Sequence, residues 1–171
     1  MAKAKEALIS AFLHLIENEE YEKISVTSLV AECGISRQTF YYHFEDIKGM
    51  LEWAFESETK KICDAQDINN WRNSAEMFVS LLEKYDTLLR KGIRSSDFIF
   101  LYNLIYNSFY SYIRDFIKKR QSSNPINDET EFLITCSAGS YCTLVLQALQ
   151  KEKSDYNEIL NKIAAGFKSK Q

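Results

Sequence analysis

Between Arg37 and His43 the chain concentrates side chains suited to reading a nucleic acid: Arg37, Gln38, Thr39, Tyr41, Tyr42 and His43. An arginine can donate a two-pronged fork to guanine and a glutamine can pair with adenine, whereas hydroxyl and imidazole donors suit phosphate oxygens. Other chemistries find no comparable set in the sequence. No nucleophile stands out beside a base, and no carboxylate pair, glycine-rich phosphate loop or metal-ligand spacing appears. The expectation is therefore a protein that is not an enzyme and takes no cofactor or metal. The acidic run Glu17, Glu19, Glu20, Glu22 reads as a solvated surface, and His14 as half-buried or exposed. Cys33, Cys63, Cys136 and Cys142 are scattered with no CxxC pair, which predicts reduced, buried small hydrophobes.

Side chains that read a surface need a rigid mount, and the flanking residues supply one. Leu8, Phe12, Leu15 and Ile16 fall at i, i+4, i+7 and i+8, one face of a first helix from Ala4 to Asn18. Ser25 stands as an N-cap, and Val26, Leu29, Val30 and Cys33 hold the core spacing up to Gly34, a residue suited to a left-handed C-cap. Ser36 caps the next helix, with Ile35 and Phe40 placed as a hydrophobic staple and Phe40 and Phe44 as its core contacts. On a helical wheel Gln38, Thr39 and Tyr42 lie roughly opposite Phe40 and Phe44, and Arg37 sits in the first turn. Two short helices joined by a tight glycine turn and braced by a third make a helix-turn-helix, whose second helix enters the DNA major groove. Such hairpins also serve as packing modules; the polar outward face favours recognition here.

Asp46 can cap a fourth helix running to about Ala65 through Ile47, Met50, Leu51, Ala54 and Phe55. Further helical patterns run from about Trp71 to Lys91, Ser96 to Lys119, Asp128 to Gln150 and Asp155 to Phe167. One proline and five glycines in 171 residues leave little to interrupt helices, and no strand pattern appears. The predicted fold is all-α, a three-helix head at residues 1–47 joined to a C-terminal helical bundle at residues 48–171 that dimerises. No run of about eighteen apolar residues and no cleavable leader is seen, so the expectation is a cytoplasmic protein without a membrane partner. The net charge of −3 means that any DNA contact depends on local geometry against an unfavourable average field.

The stretch ISVTSLVAECGISRQTFYYHFEDIKGMLEW closely resembles the DNA-binding head of TetR-type regulators, through the spacing of Ser25, Leu29, Gly34, Ile35, Ser36, Thr39, Tyr41, His43 and Phe44. The resemblance covers about the first 55 residues and implies an all-helical homodimer with a variable C-terminal body. Carried over by position, its DNA contacts fall on Thr27 at the start of the second helix and on Arg37, Gln38, Thr39, Tyr41, Tyr42 and His43. Family members commonly place a phosphate-contacting lysine three residues after the HF pair; that position is Ile47 here, and the DNA contact is expected on Lys48, which follows it. Residues 1–48 also hold five Lys/Arg (Lys3, Lys5, Lys23, Arg37, Lys48) against eight Asp/Glu. SRQTFYYHF followed by MLEW resembles most a subgroup found with dihydroxyacetone-kinase operons, in which a separate sensor protein can supply the signal.

In the body, Phe98, Leu101, Ile105, Phe109, Tyr112 and Phe116 form one stripe that reads as core. The surrounding aromatic residues could also line a small-molecule site, for which Trp71, Tyr102 and Tyr106 are the candidates. Cys136, Gly139, Ser140, Thr143 and Gln147 put small residues on one helix side, the expectation for a dimer seam. The resemblance adds the final helix, with Ile159 and Ile163, to a four-helix dimer interface. The expected partners are double-stranded DNA, a second copy of the chain, and a small-molecule effector or sensor protein. Two readings follow: a homodimer that reads a palindromic operator under control of its C-terminal domain, or a protein-interaction co-regulator whose DNA binding is weak or partner-dependent.

Overall fold

The computed structural model describes residues 2–67, 71–121, 125–152, 155–159 and 161. Regular structure among them is helical: α1 (Ala2–Asn18), a 3-10 turn (Tyr21–Lys23), α2 (Val26–Cys33), α3 (Arg37–His43), α4 (Ile47–Asp64), α5 (Trp71–Lys84), α6 (Asp86–Gly92), α7 (Phe98–Gln121) and α8 (Asp128–Leu149). A short helical stretch at 156–159 follows. The all-α expectation holds. Of the final helix predicted from Asp155 to Phe167, Leu160, Ile163 and Phe167 lie outside the described residues.

Local signals set the boundaries of the head. Ser25 accepts from the Ser28 N–H, and the Ser28 hydroxyl side chain accepts from the Ser25 N–H in return, a capping box that starts α2. Gly34 ends it at φ 66, a left-handed conformation that costs a residue with a Cβ about 1 kcal/mol or more. Ser36 and Asp46 cap α3 and α4 by accepting from Thr39 N–H at 3.0 Å and Gly49 N–H at 2.7 Å. Leu8, Phe12 and Ile16 of α1, Leu29 of α2 and Phe40 of α3 are all essentially solvent-free, so the three helices share one small core. That core continues through α4 into the rest of the chain, as one cluster from Leu8 to Ile159.

The helix predicted from Trp71 to Lys91 is broken in two at Tyr85, whose backbone (φ −106, ψ 12) leaves the α region. The Tyr85 ring is buried 4.7 Å from that of Phe55 on α4. The turn there lets α6 bring Leu88 and Leu89 into the core, a gain that no periodicity along the strand of sequence could reveal. α6 stops at Gly92, where an added Cβ would lie 1.8 Å from the buried Leu101 of α7. That close approach needs glycine.

α7 and α8 form the largest packed pair of the body, with Leu101, Ile105 and Phe109 facing Ala138, Cys142 and Val145 in the common core. α4 joins α7 through a buried hydrogen bond from the Thr59 hydroxyl to Ser108 Oγ at 2.8 Å. α8 is, by length and composition alone, apolar enough to cross a membrane, which the sequence reading missed because Thr135, Ser137, Ser140 and Thr143 interrupt its apolar residues. One side of it, Ile134, Ala138, Cys142, Val145 and Leu149, is buried in the protein's own core. The other side exposes Phe132 and Leu133.

Candidate nucleic-acid interface

α3 is seven residues long and is anchored at both ends of its inner side, by Phe40 at 0% exposure and Phe44 at 7%. The rings of these two lie 6.0 Å apart, and Phe44 meets Trp53 of α4 at 5.8 Å, which fixes the rotation of α3 about its axis. With that face buried, Arg37, Gln38, Tyr41 and Tyr42 project into solvent, Tyr42 at 75% exposure. Among the described residues neither Arg37 nor Gln38 has a hydrogen-bond or ion-pair partner, so their donors are available. Thr27 is exposed in the first turn of α2.

Thr39 and His43 are half-buried and already engaged. The Thr39 hydroxyl lies 2.9 Å from Ser36 Oγ and so reinforces the N-cap of the helix it belongs to. His43 packs edge-on against Tyr42, with ring centroids 5.0 Å apart, and so supports the orientation of that tyrosine. Lys48 differs more from expectation. Its ammonium pairs with Asp97 at 2.7 Å and lies 5.5 Å from the Phe100 ring, both at the start of α7. Lys5, another cation of the head, sits over the rings of Phe44 and Trp53 at 4.9 and 4.8 Å.

The structure also explains where the acidity of the head is spent. Glu17 accepts from the Thr87 hydroxyl at 2.8 Å, and Glu22 accepts from the Ser96 N–H at 3.2 Å. Both acids thus belong to the joint with α6 and the α6–α7 corner. Glu32 on α2 pairs with the exposed His14 at 2.8 Å. Three of the eight acids counted in the sequence thus have partners on the side facing the body or α1, and α3 itself carries no acid.

Two residues that sequence reasoning passed over stand at that joint. Lys91, near the end of α6, donates to the Ile16 carbonyl at 2.8 Å and to the Glu19 carbonyl at 3.0 Å, at the carboxyl end of α1. Asp97 accepts from Lys48 and, at 3.2 Å, from the Tyr21 hydroxyl. Burial, then the neighbouring Asp97 carboxylate, push the Tyr21 phenol well above its ordinary pKa, so it stays a donor. No local pattern marks either residue, because their partners lie between 49 and 76 positions away.

In the body, Tyr102 and Tyr106, expected at a small-molecule site, lie on the surface of α7. They stack with Tyr110 along a flank of α7, centroids 6.2 and 6.1 Å apart, a different side from Ile105 and Phe109. The side chain of Trp71 lies outside the described residues. A cavity of about 280 Å³ lies instead beside the core stripe, lined by Phe78, Val79, Phe109, Tyr112, Phe116 and Tyr141. On α8, Cys136, Ser140, Thr143 and Gln147 are exposed and Gly139 half-exposed, one continuous outward stripe. Ile159 departs from the seam expectation: it is 6% exposed in the single chain and lines the same cavity. Ile163 lies outside the described residues. The cysteines are free, as expected, but Cys136 is exposed, contrary to expectation; only Cys142 is fully buried, and burial pushes its thiol up to about 12.

Residues 8–53 match the sequence model described as bacterial regulatory proteins, tetR family. The chain is 22% identical over 166 residues to the HTH-type dhaKLM operon transcriptional activator DhaS of Lactococcus lactis subsp. lactis (strain IL1403), covering 94% of this chain and 89% of that protein. Among solved structures, the dihydroxyacetone kinase operon activator DhaS superposes with a TM-score of 0.74 at 20% identity, over 98% of both chains. The putative transcriptional regulator SCO7518 from Streptomyces coelicolor A3(2) follows at 0.53 and 18%, over 95% of this chain and 97% of that one. The capped α2–α3 hairpin lies at the centre of the segment that matches the tetR family's model, and the fold is shared with DhaS along nearly the whole chain.

Proposed function

We propose that the protein is a homodimer whose two α3 helices read the half-sites of a palindromic operator, under control of a C-terminal body that receives a small ligand or a partner protein. Residues 1–47 act as the reading head and residues 48–171 as the regulatory and dimerising body, in the cytoplasm. The observation that carries this reading is the division of α3 into a locked inner side, Phe40 and Phe44, and an outer side with unengaged Arg37 and Gln38 donors. Arg37 and Gln38 are assigned to base edges, and Thr27, Tyr41 and Tyr42 to phosphates, with Thr39 and His43 bracing the helix they sit on. The outward stripe Cys136, Gly139, Ser140, Thr143 and Gln147 on α8 is the proposed seam, since small side chains let a second helix approach closely.

The likeness to DhaS along the full chain favours the subgroup of operon activators over other members, and with it control by a partner protein. The flank of stacked tyrosines and the exposed Phe132 and Leu133 give such a partner a surface, while the apolar cavity beside Phe109 gives a small ligand a site. The test is selection of bound fragments from the source genome, followed by titration of the selected DNA. Arg37→Ala and Tyr42→Ala should each weaken binding by about 1–3 kcal/mol with helix content and mass unchanged. Random fragment recovery, or equal affinity of both variants and the parent, would sink the reading.

A further inference from the structure

The seven residues 91–97 form the corner between α6 and α7, and they grip two elements of the head together with the start of α4, the helix that leads out of it. Lys91 caps the carbonyls at the end of α1. Ser96 donates to Glu22 in the 3-10 turn, and Asp97 takes the neighbouring Tyr21 hydroxyl with one carboxylate oxygen and the Lys48 ammonium, at the start of α4, with the other. The corner is itself held in shape: the Ser95 hydroxyl donates to the Gly92 carbonyl at 2.7 Å and accepts from the Asp97 N–H at 3.1 Å. The neighbour of Lys91, Arg90, donates to the Leu149 carbonyl at 3.0 Å and so ends α8, the helix that carries the proposed seam. Adjacent residues of α6 therefore hold the carboxyl ends of α1 and α8.

We infer that Asp97 and Lys91 are positioning residues for DNA recognition, setting the orientation of the reading head relative to the body. The inference rests on the DNA-binding reading above. The links are directional and polar, and the Lys48 and Asp97 side chains are 46% and 26% exposed. Exposed ion pairs add little to stability, so their consequence is geometric. Asp97 joins Tyr21 and Lys48 through a single rigid carboxylate, and a shift of α7 along its axis moves both together. A signal that moves α6 or α7 reaches the head by this route, while the shared apolar core keeps the chain folded.

The experiment uses the full-length protein and a genomic fragment selected by the wild type. Asp97→Asn should weaken binding by about tenfold, the size of an ordinary coupling between sites. The melting temperature and the slope of log affinity against log salt should stay as in the wild type, since no phosphate contact is lost. Lys48→Met should show a comparable loss, and the double variant should lose no more than the larger single loss, because one link is broken either way. Wild-type affinity in Asp97→Asn, or additive losses in the double variant, overturns the inference. Tighter binding with a steeper salt slope also overturns it, because Asp97 would then be competing with DNA for Lys48. Should Asp97→Asn lose helix content, Lys91→Met carries the same test, with weaker binding expected and wild-type affinity fatal. Arg37→Ala separates the two claims: equal binding by that variant and the parent points to failure of the DNA-binding reading, whereas its loss beside an unaffected Asp97→Asn removes the clamp alone.

Discussion

The α2–α3 hairpin and the α7 helix both carry aromatic residues at helical spacing, yet only the first declares its purpose. In the hairpin, Ser25, Gly34 and Ser36 fix the ends of two helices through contacts three residues apart, so two aromatic anchors suffice to bury one side and leave the other polar. α7 is 24 residues long and rich in aromatics on several sides. Neighbouring helices decide there which rings become core (Phe109), cavity wall (Tyr112, Phe116) or a stack along the flank (Tyr102, Tyr106). A site built from local contacts can be read locally; a site built between helices cannot.

The comparison breaks most readily at Phe40. Phe40→Ala removes the solvent-free anchor of α3 and should cost about 3–5 kcal/mol, with loss of DNA binding; a denaturant midpoint close to the parent would show that α3 is held by its caps alone. In the body, Gly92→Ala forces a methyl group against the buried Leu101, and about 1–3 kcal/mol of destabilisation is expected. Thermal melting of this variant with Gly34→Ala beside it sharpens the contrast. The Gly34 site is open, and its expected cost of about 1 kcal/mol comes from the left-handed backbone alone.

Ser36→Ala should cost about 1 kcal/mol, since Thr39 N–H loses its acceptor, and Ser36→Asp should restore most of it. Equal stability of all three proteins would refute the local account of the hairpin. The smallest effect lies at the α4–α5 contact. Burial works to raise the Glu58 carboxyl, but a hydrogen bond from Lys84 at 2.8 Å and the nearby Lys61 outweigh it and hold the group below the ordinary range. Its folded value lies under its unfolded one, so the stabilisation is present above a pH of about 4.3 and lost as pH falls through the folded value. With both partners partly exposed, under about 1 kcal/mol is involved. Urea unfolding between neutral and acid pH should show a shallower acid-side loss for Glu58→Gln, and identical profiles would remove the effect.

The sequence by itself determined the all-α fold, the positions of Ser25, Gly34, Ser36 and Asp46 at helix ends, and the two faces of α3, because each follows from contacts within one helical turn or from a single backbone angle. It placed the outward stripe of α8 for the same reason of periodicity. Only the tertiary structure decided that Tyr85 breaks a predicted helix, since the burial that rewards the break comes from Phe55 of another helix. The same holds for the cavity at Phe109 rather than Tyr102 and for the place of Ile159 inside its own chain. The capture of Lys48 by Asp97 belongs here too: a cation one residue after the expected phosphate contact found a carboxylate 49 positions away, and charge pairing across that distance leaves no periodic trace along the chain.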